Sequence, residues 1–490
     1  MKQSILVFAL LCVTTLTQAQ IGIGTNTPNA SAKLEISSTT QGLLPPRMTA
    51  AQRNAISTPA AGLMVWCSNC GSNGEIQIYN GTEWVNFIGG TRQLTAATTK
   101  LGADVDGEAA NDQSGYSVAI SSDGTTVAIG APLNDGAGSN AGQVRVYKNI
   151  AGTWTKIGAD IDGETAGDNS GYSVAISSDG STVAIGASSN LSLFGSMVGQ
   201  VRVYKNIAGT WTQIGADIDG EAAYDNSGFS VAISSDGTTV AIGAPYNSGG
   251  SNNAGQVRVY KNMAGTWTKI GADIDGEAQN DQYGESVAIS SDGTTVAIGA
   301  LYNGGGGSEA GRVRVYKNIA GTWTKIGADI DGEAAYDRSG ESVAISSDGS
   351  TVAIGAPFND GGGSSAGQVR VYQNIAGTWT KIGADIDGEA ANDNSGYSVA
   401  ISSDGSTVAI GAPYNSGVGS SAGHVRVYQF VAGTWTKIGD DMDGEAAGDY
   451  SGYSVAISSD GTKVAIGAPY NDGVGSNAGQ VRVYLPRTSL

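Results

Sequence analysis

Acidic residues recur in one short phrase, Asp160-x-Asp162-Gly163-Glu164 followed by Asp168, and again as Asp217, Asp219, Glu221 and Asp225. Carboxylates two apart on an extended chain point to the same side, and an all-oxygen set of this kind suits a hard cation such as calcium. The phrase leaves the EF-hand pattern after its second acidic position. The competing role for these groups is solvation of a rim and capping of turns. Aromatic residues lie in the same stretches among Asn, Asp and Gly. Tyr224, Tyr283, Tyr336 and Tyr450 form one set, and such a sprinkling suits contact with a glycan or a peptide. Tyr246, Tyr302, Phe358, Tyr414 and Tyr470 form a second set, regular enough to read as packing against a neighbouring loop.

Nucleophilic and acid–base catalysis need one asymmetric constellation, and near-identical copies supply none. The single histidine, His424, stands where other copies carry Gln143, Gln200, Gln256, Arg312, Gln368 and Gln480, and reads as a surface substitution. Carboxylate pairs of the glycosidase kind are not singled out. The sequence therefore points away from an enzyme, with calcium as the one cofactor its residues suggest. Cys67 and Cys70 form a C-x-x-C. With no second cysteine pair or nearby histidine to fill a tetrahedral zinc shell, a local disulfide is expected.

The elements that must position these residues come from an internal repeat. Gly-Ala-Asp-Ile-Asp-Gly-Glu or a variant starts at Gly102, Gly158, Gly215, Gly271, Gly327, Gly383 and Gly439, spaced by 56 or 57 residues. Each unit reads as four short strands without helical periodicity. In the second they are Tyr172–Ile176, Thr182–Ile185, Gln200–Tyr204 and Thr210–Ile214. Asp-Gly between the first two strands predicts a two-residue type I′ hairpin. Four antiparallel strands repeated seven times predict a β-propeller. Small residues such as Ser117, Ala119 and Ala128 suit the crowded axis, and Trp154, Trp211, Trp267, Trp323, Trp379 and Trp435 suit the outer wedge. The seventh unit stops after its third strand, and an unmatched fourth-strand copy at residues 97–102 is expected to complete it, removing an exposed edge. The two connections that vary between copies emerge on one face.

Charge and leader bound the setting. Only 26 Lys+Arg face 45 Asp+Glu. An acidic chain without a basic tract argues against nucleic acid or anionic lipid as a partner. Met1–Ala19 reads as a secretory signal peptide, and no later stretch approaches a membrane span. Glycine is abundant, at 75 residues, but glycine and proline together stay below the share of a disordered low-complexity chain. The organisation expected is a signal peptide over 1–19, a small β-rich head over 20–90 and a seven-bladed propeller over 91–490.

At Ser114-Gly-Tyr-Ser-Val-Ala119 and Ile129-Gly-Ala-Pro132 the units resemble the FG-GAP repeat of integrin-α-like propellers. That family places a calcium loop between the first and second strands, where this sequence has only Ser-Ser-Asp-Gly with one carboxylate. Residues 21–90 resemble the N-terminal head of Bacteroidetes exported surface proteins, some of them tail-fibre-like, at Ile21–Pro28, Gly42–Thr49, Gly62–Trp66 and Tyr79–Trp84. The expectation is a secreted or cell-surface, non-enzymatic adhesion protein. Its acidic propeller face would meet a glycan or extracellular protein, with oligomerisation through the head. The alternatives are a structural fibre or envelope component and a propeller hydrolase or lyase.

Overall fold

The structure, a computed structural model, describes residues 21–23, 34–36, 38, 40, 43–68, 70, 75–79, 81, 84–86, 98–190, 197–249 and 251–486. The expected signal peptide lies outside the described residues. The chain divides into two compact units, Met1–Gln93 and Leu94–Ser489. Among the described residues no helix is long and apolar enough to cross a membrane.

In the first unit, Arg47–Met48, Met64–Cys67, Glu75–Tyr79 and Trp84–Asn86 form a four-stranded sheet in that order. Ile21–Ile23 pairs in parallel with Leu34–Ile36. Cys67 and Cys70 form a disulfide at the end of Met64–Cys67. A five-residue helix, Ala50–Asn54, interrupts the strands. Thr49 and Gln52 start it as a capping box, each side chain satisfying the other's backbone N–H.

The second unit holds seven antiparallel sheets. The first runs inner to outer as Ser117–Ile120, Thr126–Ala131, Gln143–Ile150 and Thr153–Lys156. A two-residue strand, Ile161–Asp162, adds to the start of the third strand. This extra piece recurs. In the sixth sheet it fuses with the outer strand into Thr434–Asp443. The seventh sheet takes its outer strand from Thr99–Lys100, which pairs Lys100 with Tyr484 and Thr99 with Leu485.

The core lies between sheets. Ala128, Val144 and Val146 of the first sheet meet Val174, Val183 and Ile185 of the second, and Val118, Val127 and Ile129 meet Ala465, Val481 and Val483 of the seventh. Each wedge tryptophan is also hydrogen-bonded across sheets: Trp154 Nε1–H donates to the Leu101 carbonyl and Trp211 Nε1–H to that of Ile157, each at 2.7 Å. Buried arginines of the third strands do the same. Arg202 Nη2 donates to the Asp162 carbonyl at 2.9 Å and to Ser170 Oγ at 3.2 Å, while its guanidinium lies over the Tyr204 ring.

The two motif landmarks are one contact. A Cβ on Gly130 of Ile-Gly-Ala-Pro would come within 2.1 Å of the Gly171 carbonyl, which belongs to Ser-Gly-Tyr of the next unit. Glycine at both places lets neighbouring backbones touch.

The hairpin expectation is corrected in detail. The Ser-Ser-Asp-Gly turn is wider than a two-residue type I′ loop, because Gly124 N–H donates to the Ser121 carbonyl and only Gly124 has positive φ (64°). Asp123 stays out of the left-handed region because its carboxylate accepts from Ser121 Oγ and from Thr125 N–H at 2.7 and 2.9 Å. The two-residue loop with positive φ at both positions is instead Ala151-Gly152, at 51° and 89°, between paired Ile150 and Thr153.

Candidate functional site

The seven sheets join differently at their two ends. At the Ser-Ser-Asp-Gly end, backbone hydrogen bonds run from Ser122 to Ser178, Ser178 to Ser235, and onward through Ser291, Ser347 and Ser403 to Ser459, whose N–H donates to Ser122. The other end carries the variable loops and the start of each inner strand. The Val-Ala-Ile triplets of all seven inner strands, from Val118–Ile120 to Val455–Ile457, wall a channel of about 260 Å³.

Just before each triplet, Ser-Gly, or Tyr283-Gly284 in the fourth unit, turns the chain and sets one side chain at the loop end of that channel. In sequence order these are Tyr116, Tyr172, Phe229, Glu285, Glu341, Tyr397 and Tyr453. The aromatic ones form an unbroken arc: Tyr397 to Tyr453, Tyr453 to Tyr116, Tyr116 to Tyr172 and Tyr172 to Phe229 have ring centroids 4.8–5.0 Å apart. Tyr453 packs against Tyr116 and Tyr397, and burial pushes its phenol far above the usual range. The remaining gap holds two carboxylates on adjacent units.

Burial pushes Glu285 up to about 8, with repulsion from Glu341 adding to it and Arg338 opposing. Burial likewise pushes Glu341 up to about 7 against the pull of Arg338. Glu285 Oε2 is enclosed with no hydrogen-bond partner. The Arg338 guanidinium lies over Tyr302 at 4.9 Å and Phe358 at 4.7 Å. Loop aromatics extend the arc outward, with Tyr246 against Phe229, Tyr414 against Tyr397 and Tyr470 against Tyr453 at 6.3–6.4 Å.

The carboxylates singled out from sequence do not converge. Asp160 pairs with Lys156 at 2.7 Å, Asp162 accepts from Gln143 Nε2 at 3.2 Å, and Glu164 faces Arg202 at 3.7 Å. Asp168 is fully buried and accepts from the Glu164 and Thr165 N–H groups and from Asn190 Nδ2. In the next unit Asp217 accepts from Gln213, Asp219 from Gln200, Glu221 faces Arg258 and Asp225 holds Ala222 N–H and Asn247. In this structure Asp160, Asp162, Glu164 and Asp168, and likewise Asp217, Asp219, Glu221 and Asp225, are engaged by protein partners and do not form one ligand cluster. Each group has its own protein donor, and these carboxylates stiffen turns and bridge sheets.

The four tyrosines are not equivalent either. Tyr224 and Tyr336 are exposed at 65% and 59%, while Tyr450 packs against Tyr414 and Tyr470. Tyr283 is buried at 1%, which corrects its reading as a ligand contact. It occupies the place of Ser227 and Ser339 beside the inter-sheet arginine. Without that serine, Arg314 turns to Asp329, at 3.0 and 2.8 Å, and to Glu277.

His424 is buried at 2%, not a surface substitution, because this third-strand position is interior wherever the other units carry Gln, and only Arg312 is half-buried there. Among the described residues only Glu389, His424 and Asp441 bring three candidate metal-ligand atoms within 4.8 Å of one another. Arg426 and Lys437 already neutralise the two carboxylates, at 3.0 and 2.7 Å.

Glu285 and Glu341 are departures from the repeat, which the features shared by all units do not reveal. The signal was present, as Gly-Glu-Ser in two units where five have Gly-Tyr-Ser or Gly-Phe-Ser.

Fold and site define an all-β repeat protein of propeller type with a loop-bearing face. Residues 98–147, 269–316, 325–372 and 442–484 match the FG-GAP repeat, and residues 22–101 match the phage tail like trimerisation region. Four stretches of the repeat unit thus match the FG-GAP repeat, behind an N-terminal region that matches the tail-trimer type. Among solved structures it is similar to a protein from Bacteroides uniformis assigned as a 6-phosphogluconolactonase. The identity is 12% and the TM-score 0.49, over 77% of this chain and 94% of that one. No curated protein matches.

Proposed function

We propose that this is an exported, non-enzymatic adhesion protein, secreted or held at the cell surface, whose propeller meets a glycan or protein ligand through its loop-bearing face. One observation carries the reading: departures from the repeat gather at that end, in Glu285, Glu341, Arg338, Tyr224, Tyr336 and Tyr450, while the Ser-Ser-Asp-Gly end is nearly invariant. FG-GAP repeats support a binding role. The trimerisation-region match supports an oligomer, in which three propellers would multiply weak contacts into avidity.

A glycan and matrix-protein array is the test. Binding is expected from the full chain and reduced in a Tyr224→Ser/Tyr336→Ser variant. An array with no hits, or hits indifferent to loop-face substitutions, overturns the reading. Light scattering on the full chain is expected to give a trimer, and a monomeric mass removes the avidity component.

A further inference from the structure

We infer that the loop-side mouth of the channel is a binding site for a primary ammonium group on an alkyl stem, held by Glu285 and Glu341 beside the arc of Tyr116, Tyr172, Phe229, Tyr397 and Tyr453. The inference rests on the loop-bearing face being the binding face, and it adds a single axial site distinct from contacts of the rim.

Three observations converge. The first is a missing donor, since Glu285 Oε2 is enclosed without a hydrogen-bond partner. A buried acceptor left unpaired is costly, and a ligand N–H would satisfy it.

The second is a charge deficit. Two carboxylates share one cation, Arg338. That cation is already engaged with Tyr302, Phe358 and Glu309, the last at 3.4 Å. The other titratable groups acting on the pair are phenols, Tyr172 and Tyr246 toward Glu285, Tyr397 and Tyr414 toward Glu341. None supplies positive charge.

The third is composition. Aromatic rings favour a cation through their quadrupole, and a channel walled by valine, alanine and isoleucine lies next to the mouth for an alkyl stem. An anion would meet two carboxylates, and a neutral sugar would leave their charge uncompensated. An ammonium group supplies three donors and a positive charge at once.

The ionisation of the pair gives the site a pH signature. With Glu285 near 8 and Glu341 near 7, the carboxylates are charged at pH 8.5 and largely protonated at pH 6. A simple alkylamine stays protonated throughout, so affinity should rise with pH.

The experiment is isothermal titration of the full chain with n-butylammonium, using n-butanol and tetramethylammonium as controls. Saturable binding is expected at pH 8.5, at least about tenfold weaker at pH 6 and in E285Q/E341Q, because two charge-assisted hydrogen bonds are lost. The controls should bind more weakly still. E285Y/E341Y places in both units the residue that four others carry, so its folding is secured by the repeat itself, and it should bind no n-butylammonium. The inference is overturned if wild type shows no saturable binding at pH 8.5, or if either double variant binds as wild type does. Array binding that persists in E285Y/E341Y separates the rim from this site, so the adhesion reading and the ammonium site can fail independently.

Discussion

The two ends of the propeller-type unit use carboxylates in opposite ways. At the Ser-Ser-Asp-Gly end, burial tends to raise the aspartates, but hydrogen bonds from Ser and Thr outweigh it, so Asp123, Asp179, Asp236, Asp292, Asp348, Asp404 and Asp460 all sit below the usual range. At the loop end, Glu285 and Glu341 face no such donors and sit far above it. One end spends its acids on its own backbone, and the other keeps two in reserve. The difference teaches that invariance across copies marks structure here, and broken repetition marks the site.

The largest effects should come from breaking the invariant end and the wedges beside it. Trp435, 8% exposed and bonded to Ile382, should cost about 3–5 kcal/mol when truncated to alanine, read as a shift in denaturant midpoint. Gly237→Val should cost on the order of 3 kcal/mol, because Gly237 has φ +71° and a Cβ there would lie 2.8 Å from that of Thr182. At the loop end, Gly167 is equally left-handed but has nothing within 4 Å, so Gly167→Ala should cost only about 1 kcal/mol.

Opposite pH dependences sharpen the comparison. A carboxyl raised in the folded state contributes stability that is fully present below its ordinary value of 4.5 and lost as pH rises through the folded values of about 7 and 8. Wild type should therefore lose stability relative to E285Q/E341Q between pH 5 and 8.5. The turn aspartates run the other way. Their contribution is present above the ordinary 3.8 and lost as pH falls through the lower folded value. Asp236→Ala should cost about 1 kcal/mol at neutral pH and nothing in strong acid. A wild-type profile flat from pH 5 to 8.5 would erase the contrast.

Two smaller effects finish the series. Ala264 has φ 52° in a two-residue loop, so Ala264→Gly should stabilise by about 0.5–1 kcal/mol. Lys156→Ala should change stability by less than about 0.5 kcal/mol, since its pair with Asp160 is exposed.

The period, the four strands of each unit and the completion of the seventh sheet by residues 99–100 were legible because each follows from local pattern and counting. The site was less so. Aspartates such as Asp160 and Asp162 looked like ligands because spacing says nothing of the lysine and glutamine that engage them. Tyr283 looked like Tyr224 because both are tyrosines in equivalent loops, yet Tyr283 matches Ser227, three positions beyond Tyr224, and takes the place of an interior serine. His424 looked peripheral because glutamine usually is, although the third strand buries that position in every copy but the fourth. Glu285 and Glu341 gain their meaning only from the axis, which brings adjacent units' side chains together from positions 56 residues apart in sequence.

The pairing of Lys100 with Tyr484 has a consequence for how such a protein is made and remade. During synthesis the outer strand of the seventh sheet emerges before any inner strand and must wait for the last third strand before it has a partner. Loop-closure entropy grows slowly, by about 0.6 kcal/mol per doubling of the loop, so the delay is a matter of time and exposed edge more than of final stability. It also ties the first strand of the unit to the last, because a repeat added or lost would change which third strand Thr99–Lys100 must reach. Individual copies can drift in their loops, as units four and five have done.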